Sequence, residues 1–247
     1  MQILGLACLF AYTVAALIVG VRLVWLARRT RELPELMIGG SLLCGAMIGH
    51  PANVASGFLA SESSALAWPV AAAGSIGLAV ATACILVAWW RIFHPASRWG
   101  PWAAFGWIGL VAVVLVLELG RSVAELGRDA NPWEAHRVAV QGGAFLAIAW
   151  SGFRYHAQLR RRMRLGLADP VVANRIWLWN IAASGVTVQC AYLLAIPLLS
   201  SIFDAEGVAP AFYGMIGLVV ALCLTYAFYP PRAYLRWIRG RAGLEVS

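Results

Sequence analysis

The sequence contains no lysine, and all nineteen of its basic side chains are arginines. Lysine is the side chain that forms Schiff bases with carbonyl compounds. Its absence therefore excludes lysine Schiff-base chemistry, including a covalently bound retinal of the rhodopsin kind. An arginine-only basic set is typical of a compositional bias in a genome, and it does not by itself indicate a function.

Charged residues are scarce along the whole chain. Only 12% of the 247 residues are charged and 62% are hydrophobic, whereas about a quarter of the residues in a typical soluble domain are charged. The mean hydropathy is +0.76. A chain of this composition has too little polar surface to enclose a folded core in water. The composition therefore predicts an all-α integral membrane protein.

The sequence also lacks the patterns that usually indicate a cofactor or a catalytic centre. Its five cysteines lie in separate apolar runs without a C-x-x-C pair, so neither a zinc motif nor a disulfide framework is predicted. Its four histidines divide into an outer and an inner pair, which disfavours a three-ligand catalytic zinc site. Geometry allows haem ligation by His50 and His136, but we disfavour it. No G-x-S-x-G elbow occurs, and we expect no cofactor.

Long apolar runs are what the sequence has in abundance. Roughly 20 apolar residues are needed to cross a bilayer, and seven runs meet that length. Proline stands at or near the start of several runs, where its missing N–H costs least. No soluble domain interrupts them, so we predict one domain over residues 1–247, a seven-helix transmembrane bundle. The predicted spans are residues 2–27, 35–60, 65–93, 101–127, 132–157, 170–199 and 208–229.

Arginine is distributed unequally between the two ends of the predicted bundle. One end carries sixteen arginines and four acidic residues, whereas the other carries three arginines and seven acidic residues. Cytoplasmic loops are enriched in basic residues. The N-terminus is therefore predicted outside and the C-terminus in the cytoplasm, across a bacterial plasma (inner) membrane. Anionic lipid head groups at the cytoplasmic face explain the basic balance, which requires no nucleic acid.

The tail after the seventh span predicts a short interfacial helix, because Arg232, Arg236 and Arg239 share one helical face. Seven spans, an outer N-terminus and such a helix resemble the topology of G-protein-coupled receptors. The segment from Tyr226 to Pro230 is loosely similar to that family's motif at the end of helix seven. The third run, however, ends in WWRIF, without Asp-Arg-Tyr. Topology alone does not carry a function, so no function is transferred.

Charged residues lie deep in the predicted fourth and fifth spans. Glu118 lies about 10 Å below the outer end of its helix by helical rise, and a carboxylate facing lipid there would be costly. It should point into the bundle, three residues from Arg121. The short turn that follows makes the fourth and fifth helices antiparallel neighbours, which should bring His136 and Arg137 within reach of Glu118. Gln141 lies one turn deeper.

Polar residues of three other runs lie at a similar depth. In the second run, a proline between His50 and Asn53 should kink the helix. The sixth run contributes Gln189 and Tyr192, and the seventh contributes Tyr213. Irregular backbone at membrane depth normally lines a cavity or the protein interior. We therefore favour a ligand or ion pocket open to the outside, with a purely structural polar network as the alternative.

These features lead to a functional hypothesis. We expect a non-enzymatic protein that binds an unidentified small ligand and transmits a conformational change to a cytoplasmic or membrane partner. The first alternative is a transporter, or a proton- or ion-linked permease, that uses Glu118 and the histidines. No paired halves of the inverted-repeat kind support it. A membrane enzyme is the third possibility. Gly45 and Gly49 would suit a homodimer, although packing inside the bundle is favoured.

Overall fold

The computed structural model describes residues 2–60, 63–124, 132–199 and 205–241. Within these ranges the chain is helical apart from short connections and contains no β-strand. The charged turn predicted at residues 128–131, between the fourth and fifth predicted spans, lies outside the described residues, as do residues 125–127. The all-α fold expected from composition is thus observed in the described chain.

The helices follow one another in the order of the predicted runs. Each run corresponds to one long helix or, for the second run, to a continuous helix that changes geometry on the way. Short connections join consecutive helices, so they pack as antiparallel neighbours. The elements are α1 (Gln2–Thr30), α2 (Leu33–Leu43), a π-helical segment (Cys44–Gly49), α3 (His50–Ala60), α4 (Ser64–Phe93), α5 (Gly100–Ala124), α6 (Pro132–Arg164), α7 (Pro170–Leu199), α8 (Ala205–Phe228) and α9 (Arg232–Arg241).

The second helix changes from α to π geometry just before a proline. Pro51 has no N–H to donate to the carbonyl of Met47, and its ring would clash with that carbonyl in a regular α-helix. The chain widens instead, and the His50 N–H bonds to the Gly45 carbonyl five residues back. The sequence predicts a kink at this proline, and the structure shows a π-helical segment directly before it. Such segments are frequent at functional sites.

Glycines let the second helix and α4 approach each other closely. A Cβ atom added to Gly77 of α4 would lie 2.9 Å from the amide nitrogen of Gly49. Gly45 packs against the Cβ atom of Ala81 in the same interface. Gly45 and Gly49 are both buried. These two glycines therefore pack inside the bundle against α4, as the sequence analysis favoured.

Large apolar side chains cover the outside of the bundle. Trp102, Phe10 and Val116 are 80%, 71% and 68% exposed. Soluble proteins rarely expose apolar surface of this extent, whereas a bilayer would cover it with lipid tails. Within the described ranges, six helical stretches are long and apolar enough to cross a membrane. The composition and the fold thus agree on a transmembrane protein.

Of the seven predicted spans, α6 is the one that is not among these six long apolar stretches. It contains 33 residues, about 50 Å by helical rise, and a bilayer core is about 30 Å thick. Arg137, Arg154 and the arginines of its last turn lower its hydropathy. α6 nevertheless packs between α5 and α7 in the bundle. Six spans are thus supported by length and composition, and the seventh stays a prediction.

The main apolar core lies towards the end of the bundle where α4 and α6 end. We call this the arginine-rich end, and the opposite one the carboxylate end. Val19, Ile85 and Trp89 contribute to the core from α1 and α4, and Ile148 and Trp179 contribute from α6 and α7. With buried residues of α2 and α5, side chains from six helices meet in this one core, which holds this end of the bundle together.

α9 is short and amphipathic, as predicted for the tail. Arg232, Arg236 and Arg239, which were expected to share one face, are all exposed. On the inner side, Asn174 Nδ2 of α7 donates a hydrogen bond to the Tyr234 hydroxyl at 3.0 Å, which ties α9 to the bundle. The predicted helix is therefore present, and its position at a membrane surface stays a prediction.

The close approach of the second helix and α4 predicts that Gly77→Ala is destabilising. Its methyl group would meet the Gly49 backbone, which cannot move aside as a flexible side chain can. We expect a loss of about 1–3 kcal/mol, as for other overpacked sites. Thermal unfolding of the purified variant in detergent micelles measures the effect.

Gly109→Ala is the matched control, because a Cβ atom at Gly109 of α5 would meet open space. It should leave stability unchanged or raise it by up to about 1 kcal/mol, since alanine is the better helix former. Equal melting temperatures for Gly77→Ala and Gly109→Ala would contradict the close helix contact.

Candidate ligand-binding site

A buried ion pair between three helices holds the deepest charged residues of the bundle. Glu118 of α5 is only 7% exposed. Its Oε1 atom accepts one hydrogen bond from the Ser75 hydroxyl of α4 at 2.9 Å and another from Arg137 Nε of α6 at 3.2 Å. The Arg137 side chain is 15% exposed. Glu118 therefore points into the bundle, as its depth in the sequence predicts, and it joins α4, α5 and α6.

The other two basic residues predicted beside Glu118 are placed differently. His136 precedes Arg137 on α6 but occupies an exposed position. Arg121 lies on α5 almost one turn beyond Glu118, and its side chain lies outside the described part of the structure. Among the basic residues predicted for this site, Arg137 is thus the one that the described contacts bring to Glu118.

A cavity lies in the middle of the bundle, between α1, the second helix, α4, α6, α7 and α8. Its volume is about 70 Å³, and we call it the central chamber. Most of its wall is apolar and includes the rings of Phe145 and Trp179. The polar residues of its wall are Tyr12, Ser41, His50, Thr82 and Gln141.

Most of these polar groups lack a hydrogen-bond partner within the described chain. The Thr82 hydroxyl donates to a carbonyl of its own helix at 2.9 Å, so its oxygen is left to accept. The hydroxyls of Tyr12 and Ser41 make no hydrogen bond with any described residue. The same holds for the imidazole of His50 and the amide of Gln141. Ser41 is buried, and Tyr12, His50 and Gln141 are partly buried. Polar groups withdrawn from bulk water without partners are costly, and water or a ligand normally satisfies them.

A smaller cavity lies between the central chamber and the buried ion pair. Its volume is about 20 Å³, and residues of α4, α5 and α6 surround it. Leu78, Thr82 and Gln141 line both cavities, and Arg137 lines the smaller one. The side chains of Leu78, Thr82 and Gln141 therefore form the partition between the chamber and the ion pair, and Thr82 and Gln141 are its polar members.

The π-helical segment positions His50 in the wall of the chamber. The His50 ring packs edge-on against Tyr12 of α1, with ring centroids 5.8 Å apart and an interplanar angle of 80°. Asn53, which the sequence analysis assigned to the same pocket, packs against α4 instead. A Cβ atom added to Gly74 would lie 2.5 Å from Asn53 Oδ1. Asn53 therefore contributes to helix packing and does not line the described part of the chamber.

The predicted pocket residues of α7 and α8 form a separate cluster. Gln189 Nε2 donates a hydrogen bond to the Tyr213 carbonyl at 3.2 Å. Tyr192 stacks on Phe212 with ring centroids 4.2 Å apart, and it meets Tyr213 edge-on at 6.0 Å. Gln189 lies one turn beyond Val186, which still lines the chamber. Depth along α7 therefore separates this cluster from the chamber, and the pocket predicted as one is divided.

Four polar residues of the site escape the sequence analysis. Tyr12, Ser41 and Thr82 line the chamber, and Ser75 binds Glu118. Each is a single hydroxyl in an apolar run, and a serine or threonine there is usually expected to bond within its own helix. The available signal is periodicity, because Ser75 and Thr82 are seven residues apart and so share one face of α4.

Residues of metal-binding type are dispersed in the described chain. Its His, Cys, Asp and Glu side chains form no group of three or more that could hold a metal ion. His50 lies in the chamber wall, whereas His136 occupies an exposed position on α6. The two histidines considered for haem therefore do not line a common cavity among the described residues.

We predict that Glu118 and Arg137 are energetically coupled. Glu118→Gln and Arg137→Gln should each lower the free energy of unfolding by about 3 kcal/mol, because each leaves one buried charge uncompensated. The double variant should lose about 1–2 kcal/mol less than the sum, since contacting residues are not additive. Denaturation of the four proteins in detergent micelles, treated as a double-mutant cycle, measures the coupling.

Glu35→Gln provides the control for removing a carboxylate charge. Glu35 is on the surface and accepts a hydrogen bond from the Thr30 hydroxyl at 2.6 Å. Its loss should cost less than about 1 kcal/mol, as for other exposed polar pairs. If the losses of unfolding free energy from Glu118→Gln and Arg137→Gln are strictly additive in the double variant, the predicted coupling is wrong.

Comparisons with known proteins leave the site to be interpreted from its own geometry. No protein-family model, no curated protein and no solved structure matches this chain. The function is therefore inferred from the residues of the central chamber and of the ion pair beside it.

Proposed function

We propose that the chain is a seven-helix transmembrane bundle in which α6 is the seventh span. α6 packs between two candidate spans, and its Arg137 is paired with Glu118 inside the bundle. This pairing lowers the cost of placing an arginine at membrane depth. By the arginine asymmetry, the N-terminus lies outside and the arginine-rich end faces the cytoplasm, across a bacterial plasma membrane.

Within this bundle, the central chamber binds a small ligand from the outer side. The observation that supports this proposal is the set of polar side chains that converge on the chamber without described protein partners. They belong to α1, α2, α3 and α6. A ligand that bonds to several helices at once stabilises one arrangement of them and shifts the conformational equilibrium. The proposed function is therefore ligand sensing without catalysis.

The π-helical segment gives the second helix a means of changing shape. It lies next to the chamber, and both Gly45 within it and His50 after it line the wall. Conversion of a π turn to α geometry rotates the helix that follows, because the number of residues per turn changes. Ligand contact with His50 is thereby coupled to the rotation of α3 against α2.

The change then has to leave the bundle at the arginine-rich end. Arg232, Arg236 and Arg239 of α9 are exposed, which suits a membrane surface with anionic lipid head groups. A cytoplasmic or membrane partner protein receives the signal there. Such a partner completes the pathway, because the described residues form one helical bundle with the short helix α9 beside it.

The sensing function predicts that Gln141→Leu abolishes ligand-induced stabilisation. Gln141 lines both cavities, and leucine of similar volume removes a donor and an acceptor from the ligand. Protein in lipid nanodiscs is screened against small polar solutes by thermal unfolding. At ten times its Kd, a ligand adds about 1.4 kcal/mol, which raises the Tm of the wild type by roughly 3–6 °C.

Gln189→Leu is the matched control, because that amide binds a backbone carbonyl in the α7–α8 cluster outside the chamber. It should lower the basal Tm and keep the ligand-induced shift. A Gln141→Leu variant that keeps the wild-type shift for every stabilising solute would show that the chamber is not the binding site.

A proton- or ion-linked permease is the alternative function. One observation favours it: the small cavity places Arg137 of the ion pair beside the partition of the chamber. In that case, proteoliposomes would take up solute under a pH gradient, and Glu118→Gln would abolish the uptake. Sensing predicts uptake at the level of empty liposomes.

A further inference from the structure

We infer that the ligand of the central chamber is a small, electrically neutral molecule with hydrogen-bond donors and acceptors. Short amides, ureas and alcohols form the matching chemical class. The inference rests on the proposed ligand-binding function and adds the chemistry of the ligand. Three properties of the chamber support this inference: its charge, its volume and its polar groups.

The charge of the chamber favours a neutral ligand. Among the described residues, its wall includes no Asp, Glu or Arg. Glu118 and Arg137 lie beyond the partition, and they neutralise each other. An ion that entered the chamber would lose its hydration without gaining a counter-ion. The chamber therefore selects against ions of either sign.

The volume of the chamber limits the size of the ligand. It measures about 70 Å³, whereas an apolar cavity of about 150 Å³ holds the six carbons of benzene. On this scale, the chamber alone accommodates about three non-hydrogen atoms. With the adjoining cavity of about 20 Å³, the space accommodates between about three and four. A larger ligand would have to push the surrounding helices apart.

The polar groups of the chamber match a ligand that both donates and accepts. The Thr82 hydrogen is committed to its own helix, so the Thr82 oxygen accepts from a ligand N–H or O–H. The Gln141 amide can donate to a ligand oxygen. The rings of Phe145 and Trp179 leave apolar wall for a methyl group. An amide, a urea or a short alcohol combines these features.

Isosteric pairs of probes test the charge selection directly. Acetamide is compared with acetate, and urea with guanidinium, at millimolar concentration and pH 8, where a histidine side chain of ordinary pKa is neutral. Saturation-transfer NMR on the protein in lipid nanodiscs measures binding. We expect acetamide and urea to bind, and acetate and guanidinium to bind at least about tenfold more weakly, because each ion lacks a counter-charge in the chamber.

Substitutions of two similar threonines test the location. Thr82→Val preserves the side-chain shape and should weaken acetamide binding by about tenfold, the usual effect of one lost hydrogen bond. Thr187→Val is the control. The Thr187 hydroxyl bonds to the carbonyl four residues earlier at 3.0 Å, against 2.9 Å for Thr82, and Thr187 is not among the described wall residues of the chamber. Its acetamide affinity should match that of the wild type.

The outcomes separate the ligand class from the proposed function. One outcome is that acetate or guanidinium binds as tightly as acetamide and that Thr82→Val weakens this binding. It would contradict the inference that the ligand is neutral, but the chamber would still be a ligand-binding site. If no probe shows binding that depends on Thr82, the inference is wrong. The proposed function then fails as well, unless a larger solute gives stabilisation that depends on Gln141.

Discussion

Pro51 forces the second helix out of α geometry, and the rest of the bundle is arranged around that irregular turn. Backbone groups freed at membrane depth have to be shielded from lipid. The close packing of Gly49 against Gly77 of α4 provides this shielding on one side. The same packing fixes where the turn lies, with Gly45 and His50 both in the chamber wall. The position of the chamber therefore follows from one proline and the glycines opposite it.

Polar groups inside the bundle occupy two kinds of environment. Ser75 and Arg137 both donate hydrogen bonds to Glu118 Oε1, which joins three helices. Apolar residues often replace such a buried network without loss of stability, so its main contribution is to fix how α4, α5 and α6 are aligned. Tyr12, Ser41, His50 and Gln141 in the chamber wall have no hydrogen-bond partner among the described residues, so a bound ligand or water would recover the cost of burying them. This difference separates residues that hold the bundle from residues that offer a binding site.

Sequence patterns predict the helices and one contact of the site, but they leave most of its lining open. Helix lengths are predictable because bilayer thickness sets them. The pairing of Glu118 with Arg137 is predictable because a short turn forces α5 and α6 together. The contact of Ser75 with Glu118 is not predictable, because a serine in an apolar helix has the same sequence pattern whether it faces lipid or a carboxylate. Periodicity likewise predicts the face of the helix on which Asn53 lies, but not what that face contacts. In the structure, Asn53 packs against Gly74 of α4 and not into the chamber.

α7 connects the central chamber to the arginine-rich end of the molecule. Trp179 lines the chamber, and Asn174 lies about 7.5 Å from it along the helix. Asn174 and the Tyr234 hydroxyl of α9 exchange hydrogen bonds of 3.0 and 3.3 Å, and Tyr234 stacks on Trp237. Over so short a distance a helix moves as a rigid rod. A shift of α7 at the chamber must therefore either carry α9 with it or break both bonds, and the second course leaves a half-buried asparagine without its partner. Movement of α9 together with α7 is the less costly course.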